Sequence, residues 1–261
     1  MKEPAVVIQN RDETVSVIET IQAVKDAGFK NVFIQWYNKN WEISQEEQVE
    51  LCKKLELNII FAHLGYQEIN SIWEEDKRGE ELVEEYKKDI KDCKDNNIPI
   101  VVMHLTRKMK APEYNEIGLN RIRKIVEYAK ELNIKIAFEN TKIKGYLEYV
   151  LENIKDDNVG ICLDVGHLHA HFNDEFNFEL VKDRIFAVHL HDNDKSDDLH
   201  LLPFDGTIDW EMIVEKLKEC NYKGPITLEP CYRYDYLNMS VNDFYKEAYT
   251  KARILAEMFE N

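Results

Sequence analysis

From one end to the other of its 261 residues, the chain alternates short segments rich in Val, Ile and Phe with longer amphipathic ones. That pattern requires a parallel sheet with crossover helices on its outside. Eight segments qualify as strands, at 5–9, 31–36, 59–64, 100–105, 135–139, 160–164, 185–191 and 225–229. Between them apolar residues recur at steps of three or four, as in Ile18, Ile21 and Val24, in Leu119, Ile122, Ile125, Ala129 and Leu132, and in Val241, Phe244, Ala248, Ala252, Leu255 and Phe259. Several strands follow a Gly, Asn or Pro that ends a helix, as in DAGFKNVFIQW and ELNIKIAFEN. Longer connections follow strands three, six and seven, at 65–79, 165–177 and 192–207.

An open doubly wound sheet shares this alternation, but no G-x-G-x-x-G or Walker loop follows any strand. Eight strands in a chain close to the ~250 residues typical of a (β/α)₈ barrel suit closure better. With no linker or composition shift, the expectation is a single-domain α/β TIM barrel over 1–261.

Charge narrows the partners. Lys and Arg total 34 against 50 Asp and Glu, a net charge of −16, which works against nucleic acid and against an anionic membrane. Five cysteines (Cys52, Cys93, Cys162, Cys220, Cys231) without a C-x-x-C pair, and an N-terminus without an apolar leader core, fit the cytoplasm. No run is apolar enough to span a bilayer. A homodimer is compatible with such a barrel, although no segment marks an interface.

The chemistry lies at the strand ends. His63, His104, His189 and His191 end strands, while His167, His169, His171 and His200 fall in what read as the following loops. Acidic residues join them at Glu139, Asp164 and Glu229. In a barrel these positions converge on one mouth. A buried set of carboxylates without Lys or Arg repels itself unless a divalent cation binds, and His nitrogens with carboxylate oxygens suit Mn²⁺, Zn²⁺, Co²⁺ or Mg²⁺. Glu139, Asp164, His189 and Glu229 each end a strongly apolar strand, where an unpaired charge is costly. For His169, His171 and His191 a hydrogen-bonding or structural role is the simpler reading. In the DNDKSDD stretch at 192–198 most residues read as solvated, with Asp198 and His200 turned inward; it lacks the Gly and Glu of a calcium loop.

Taken in order, FAHLGY, VVMHL, IAFEN, CLDVGH, AVHLHDND, DLHLLPFDGTIDW and TLEP resemble the xylose isomerase-like barrels, a superfamily of sugar isomerases and epimerases that includes endonuclease IV. By position, the resemblance implies that Glu139, Asp164, His189 and Glu229 form the single-metal site of the isomerases. It implies that His63, His104, His167, Asp198 and His200 are further metal ligands, as in the trinuclear zinc cluster of endonuclease IV, or substrate-binding groups.

The leading expectation is a metal-dependent isomerase or epimerase acting on a sugar or sugar phosphate, with Glu139 and Glu229 as acid and base and no organic cofactor. Trp36 would wall the sugar, and Lys142, Arg233 and Arg107 could receive an anionic group. The alternatives are an endonuclease IV-like zinc phosphodiesterase acting on abasic DNA and a dehydratase or lyase using the same metal. Tyr66 fits a DNA-inserting loop, but the rim segments DNDKSDD and NDEFNFE are acidic, and HLHDND departs from the endonuclease pattern.

Overall fold

The computed structural model describes residues 2–9, 15–37, 42–172 and 175–260. Its strands are β1 (Pro4–Ile8), β2 (Asn31–Trp36), β3 (Asn58–Leu64), β4 (Ile100–Met103), β5 (Lys135–Glu139), β6 (Val159–Asp164), β7 (Ile185–His189) and β8 (Ile226–Leu228). All pair in parallel, in the order β7-β6-β5-β4-β3-β2-β1-β8. The ring closes at Leu190, whose N–H donates to Thr227 O and whose carbonyl accepts from Glu229 N–H, both at 3.0 Å. These residues form one TIM barrel, the closed form expected from eight strands rather than the open doubly wound sheet.

Around it run α1 (Val17–Ala27), α2 (Gln45–Lys54), α3 (Lys77–Asp95), α4 (Glu116–Glu131), α5 (Tyr146–Asn153), α6 (Val165–Phe172), α7 (Phe178–Val181), α8 (Trp210–Glu219) and α9 (Val241–Met258). Four helices end in the same turn: Glu56, Asn97, Asn133 and Asn221 take positive φ. The N–H groups of Leu57, Ile98, Ile134 and Tyr222 then reach back five residues to Cys52, Cys93, Ala129 and Leu217 at 2.8–3.0 Å. These Schellman-type bonds satisfy the last helical carbonyls and aim the chain into the next strand.

Two connections depart from the sequence reading. The segment after β6 is a helix, so His167, His169 and His171 are helical, because Asp164 Oδ1 accepts the His167 N–H at 2.6 Å and caps the turn. The 192–198 stretch begins buried: Asp192 accepts from Trp210 Nε1 at 2.9 Å and from the N–H groups of Phe204 and Ile208 at 3.0 and 3.1 Å. Residues 194–197 are exposed. Of the NDEFNFE rim, Asn173 and Asp174 lie outside the described residues.

The connection after β3 is tied down by α4. A 3₁₀ helix, Ile69–Trp73, seats Trp73 against Gly118, and Trp73 Nε1 donates to Leu105 O at 2.7 Å. Arg121 lies buried beside it, donating to Ile72 O at 3.0 Å, Asp76 O at 2.8 Å and Glu80 Oε1 at 3.0 Å. A Cβ on Gly118 would fall 2.1 Å from Trp73 Cε3. Gly118→Ala should therefore cost about 1–3 kcal/mol through overpacking, despite alanine's better helix propensity. Denaturant unfolding measures it, and a stabilised variant would contradict this packing.

Candidate metal and active site

Strand ends β5 to β8 supply the centre. His189 Nδ1 lies 3.3 Å from Glu139 Oε2, 3.4 Å from Glu229 Oε2 and 3.8 Å from Asp164 Oδ2. Its ring stacks on Phe33 at 4.9 Å, and Phe33 stacks on Phe61 at 4.5 Å. The polar cluster thus rests directly on the apolar barrel interior, where charges interact more strongly than in water.

Two flanking groups extend it. His63 Nε2 and His104 Nε2 lie 3.1 and 3.3 Å from Glu139 Oε2. On the other side His167 Nε2 and His200 Nε2 lie 3.3 and 3.4 Å from Asp198 Oδ2. Three of these rings are oriented by the backbone: Nδ1 of His63, His167 and His200 meets the carbonyls of Leu64, Asn140 and Glu229 at 2.9, 3.0 and 2.8 Å. A carbonyl only accepts, so Nδ1 carries the proton, and a neutral ring presents its Nε2 lone pair inward. Asn140 fixes β5 against β6, accepting from Asp164 N–H at 2.8 Å and donating to Asp164 O at 2.7 Å.

His191, read as structural from sequence, belongs to this cluster. It is fully buried, with Nε2 3.2 Å from Asp164 Oδ1, and its ring stacks on His200 at 3.9 Å. Gly166 makes the room, since a Cβ there would lie 1.8 Å from His191 Cε1. The H-x-H spacing from His189 was the available signal. His169 instead pairs with Thr207 Oγ1 at 2.9 Å, and His171 sits half-buried outside the cavity lining.

Electrostatics show how crowded the cluster is. Burial opposes ionisation of Glu139, yet His104 and His189 outweigh it and hold its carboxyl well below the usual range. Asp164 and Asp198 are likewise held down by their imidazole neighbours against the effect of burial. Burial also opposes charge on His167 and His189, but adjacent carboxylates, with the Cys162 thiol beside His189, push both well above the usual imidazole value. For His104 burial prevails and lowers the pKa.

The donor set fits a divalent cation. Ligands bound at ~2.0–2.1 Å with tetrahedral or octahedral angles stand about 2.9–3.4 Å apart, and several pairs here, such as His63 Nε2–Glu139 Oε2 at 3.1 Å and His189 Nδ1–Glu229 Oε2 at 3.4 Å, are spaced so. Among the described residues, both ring nitrogens of His189, and Asp198 Oδ1, are buried without a hydrogen-bond partner. Ligand atoms within 4.8 Å of one another group His63, Glu139 and His189; Glu139, Asp164 and His167; Asp164, His191 and Glu229; and His191, Asp198 and His200.

The cluster floors a cavity of about 430 Å³. His63, His104, Glu139, His167, Asp198, His200 and Glu229 line it, as do Tyr66, Arg107 and Lys142. Tyr66 stacks on His104 at 4.2 Å. Trp36, expected to wall the site, faces the other side of β2, where it lines a separate cavity with Leu82 and Tyr86. Strand alternation puts Gln35 on the inner face with Phe33, and Gln35 lines the site cavity instead. Arg233 is also absent from that lining; its Nη2 donates to Asp198 O and Leu199 O at 3.3 and 3.0 Å and so braces the loop carrying Asp198 and His200.

A barrel with histidines and carboxylates converging at its C-terminal mouth defines a class, and residues 21–254 match the family model for the xylose isomerase-like TIM barrel. The chain belongs to this family. It is 26% identical over 185 residues to an inosose isomerase of Halalkalibacterium halodurans, covering 64% of this chain and 65% of that protein. It is 30% identical over 125 residues to a probable endonuclease 4 of Mycoplasma capricolum subsp. capricolum, covering 40% and 43%. A crystal structure of a D-tagatose 3-epimerase-like protein superposes with a TM-score of 0.76 at 24% identity, covering 98% and 99% of the two chains. The chain spans about half the length of the first curated relatives it matches, 46% and 42%. Among the described residues no helix is long and apolar enough to cross a membrane.

His191→Phe keeps a ring against His200 and removes the nitrogen beside Asp164. Affinity for Mn²⁺ or Zn²⁺, titrated calorimetrically, should fall roughly 10- to 100-fold with the fold intact. Unchanged affinity would show that His191 does not orient the cluster.

Proposed function

We propose that the chain is a divalent-metal-dependent sugar isomerase or epimerase in which Glu139 and Glu229 move a proton at the carbon beside a carbonyl. The supporting observation is the placing of these two carboxylates, each with an oxygen within 3.4 Å of His189 Nδ1. Their strands, β5 and β8, stand three positions apart round the barrel, so the groups approach the site from different sides. A divalent cation held by Glu139, Asp164, His189 and Glu229, with Mn²⁺ or Zn²⁺ the best matches, would polarise the carbonyl and acidify the neighbouring C–H.

One glutamate takes the proton and the other returns it, to the opposite face for an epimer or to the adjacent carbon for an isomer. His167, its Nδ1 anchored on Asn140 O, offers Nε2 to a substrate hydroxyl. Tyr66, stacked on His104, supplies the apolar wall first assigned to Trp36. The inosose isomerase and the D-tagatose 3-epimerase-like protein support the same class. Dehydratase or lyase chemistry begins with the same proton abstraction and is separated by identifying products.

A second reading, metal-assisted phosphodiester hydrolysis, is favoured by the two flanking groups around Glu139 and Asp198, which could hold further zinc ions. The exposed Asp194 and Asp197 and the net charge of −16 weigh against a nucleic-acid substrate. Two or three zinc ions per chain with cleavage of abasic DNA would establish this reading in place of the first.

Incubating metal-loaded protein with a panel of ketoses and aldoses in D₂O should exchange one substrate C–H proton, read by NMR. Glu229→Gln should slow that exchange by roughly 10²- to 10⁴-fold while the protein keeps the circular dichroism of the folded barrel. Near-normal turnover in the variant would remove Glu229 from the mechanism.

A further inference from the structure

Above the strand ends the cavity changes character. On the side formed by the connections after β4 and β5 it is lined by Arg107, Lys108 and Lys142. Lys142 has a carboxylate near it, with Nζ 3.8 Å from Asp198 Oδ2. Among the described residues neither Arg107 nor Lys108 has a carboxylate partner: the one side-chain bond of Arg107 runs from Nη1 to Gln67 O at 2.9 Å. A guanidinium carries five N–H donors, so most of these remain for a ligand.

The loop holding them is built rather than loose. Arg107 N–H donates to Asn70 Oδ1 at 2.8 Å, and Asn70 Nδ2 donates back to Arg107 O at 3.1 Å. Lys108 follows at φ 66°, a left-handed conformation uncommon for a long side chain. The Thr106 and Thr141 hydroxyls, 2.6 Å apart, line the same wall.

We propose that Arg107 and Lys108, with Lys142 beside them, form an anion-binding subsite, and that the substrate is a polyhydroxylated compound carrying a phosphate monoester or a carboxylate. The proposal rests on the isomerase or epimerase reading and specifies its substrate class. Arginine matches either group by bidentate hydrogen bonding. Anchoring the anionic end at this wall would leave the other end of the substrate at Glu139 and Glu229, and the cavity volume lies in the range of small-ligand sites.

The test compares neutral ketohexoses, their 6-phosphates and hexuronates in the D₂O exchange assay, using metal-loaded wild type and the double variant Arg107→Gln/Lys108→Gln. Inorganic phosphate binding is measured calorimetrically on the same samples. Anionic substrates should lead neutral ones by at least about tenfold in kcat/KM, and the double variant should lose that lead and bind phosphate at least about tenfold more weakly. Whichever anion is preferred identifies the source. Equal exchange of neutral and anionic sugars overturns the proposal, and so does phosphate binding that the substitutions leave unchanged. If no sugar exchanges but the double variant loses phosphate binding, the subsite stands and the isomerase reading fails. Lys108→Gln alone, at an exposed position, serves if the double variant does not fold.

Discussion

Mutual repulsion among four carboxylates gathered at one barrel mouth is the constraint around which the rest of this molecule is arranged. Glu139, Asp164 and Glu229 are buried, and Asp198 is nearly so. Six imidazoles interleave with them, those of His63, His104, His167, His189, His191 and His200. Adjacent carboxylates push the pKa values of His167 and His189 upward against the opposing effect of burial. A divalent ion replaces the protons held there with a charge the same atoms can share.

The scaffold makes that arrangement tolerable by dividing labour between its two ends. At the bottom, repeated left-handed turns at Glu56, Asn97, Asn133 and Asn221 launch strands in a uniform way. At the top the connections differ, and those after β3 and β7 are fastened by groups that do not line the cavity. Arg121 and Trp73 hold the segment after β3, Asp192 holds the one after β7, and Arg233 braces the carbonyls of Asp198 and Leu199. Barrel closure at Leu190, between His189 and His191, ties the ring to the site itself.

The barrel was legible because its signals are periodic and repeated. The boundaries of β2 and β5 match those read from the sequence, whereas β7 stops at His189 because Leu190 makes only the isolated closing bridge to Leu228. The gathering of His63, His104, Glu139, Asp164, His189 and Glu229 follows from strand-end position, whereas His167, Asp198 and His200 lie on connections and were pointed to by the family resemblance. What the sequence obscured were facts of side-chain direction and local capping. Trp36 and Gln35 differ by one position and so face opposite sides of β2. The helix carrying His167 was hidden because its N-terminal cap, Asp164, also ends a strand. His191 carried a signal in its H-x-H spacing from His189, but the room that Gly166 leaves for it shows only in the structure. Which substrate the two glutamates act on is not written in any of these features, since the same acid–base pair serves several carbonyl chemistries.

The most direct test of the central claim, that a divalent ion holds this cluster together, is the thermal unfolding midpoint of the full chain with and without a strong chelator. An ion present at about a thousand times its Kd adds roughly 4 kcal/mol, which for a domain of this size corresponds to roughly 8–16 °C. The account predicts a fall of that order on chelation, reversed by adding Mn²⁺ or Zn²⁺. A midpoint that neither chelator nor metal shifts would contradict it and leave the carboxylates balanced by protonated histidines alone.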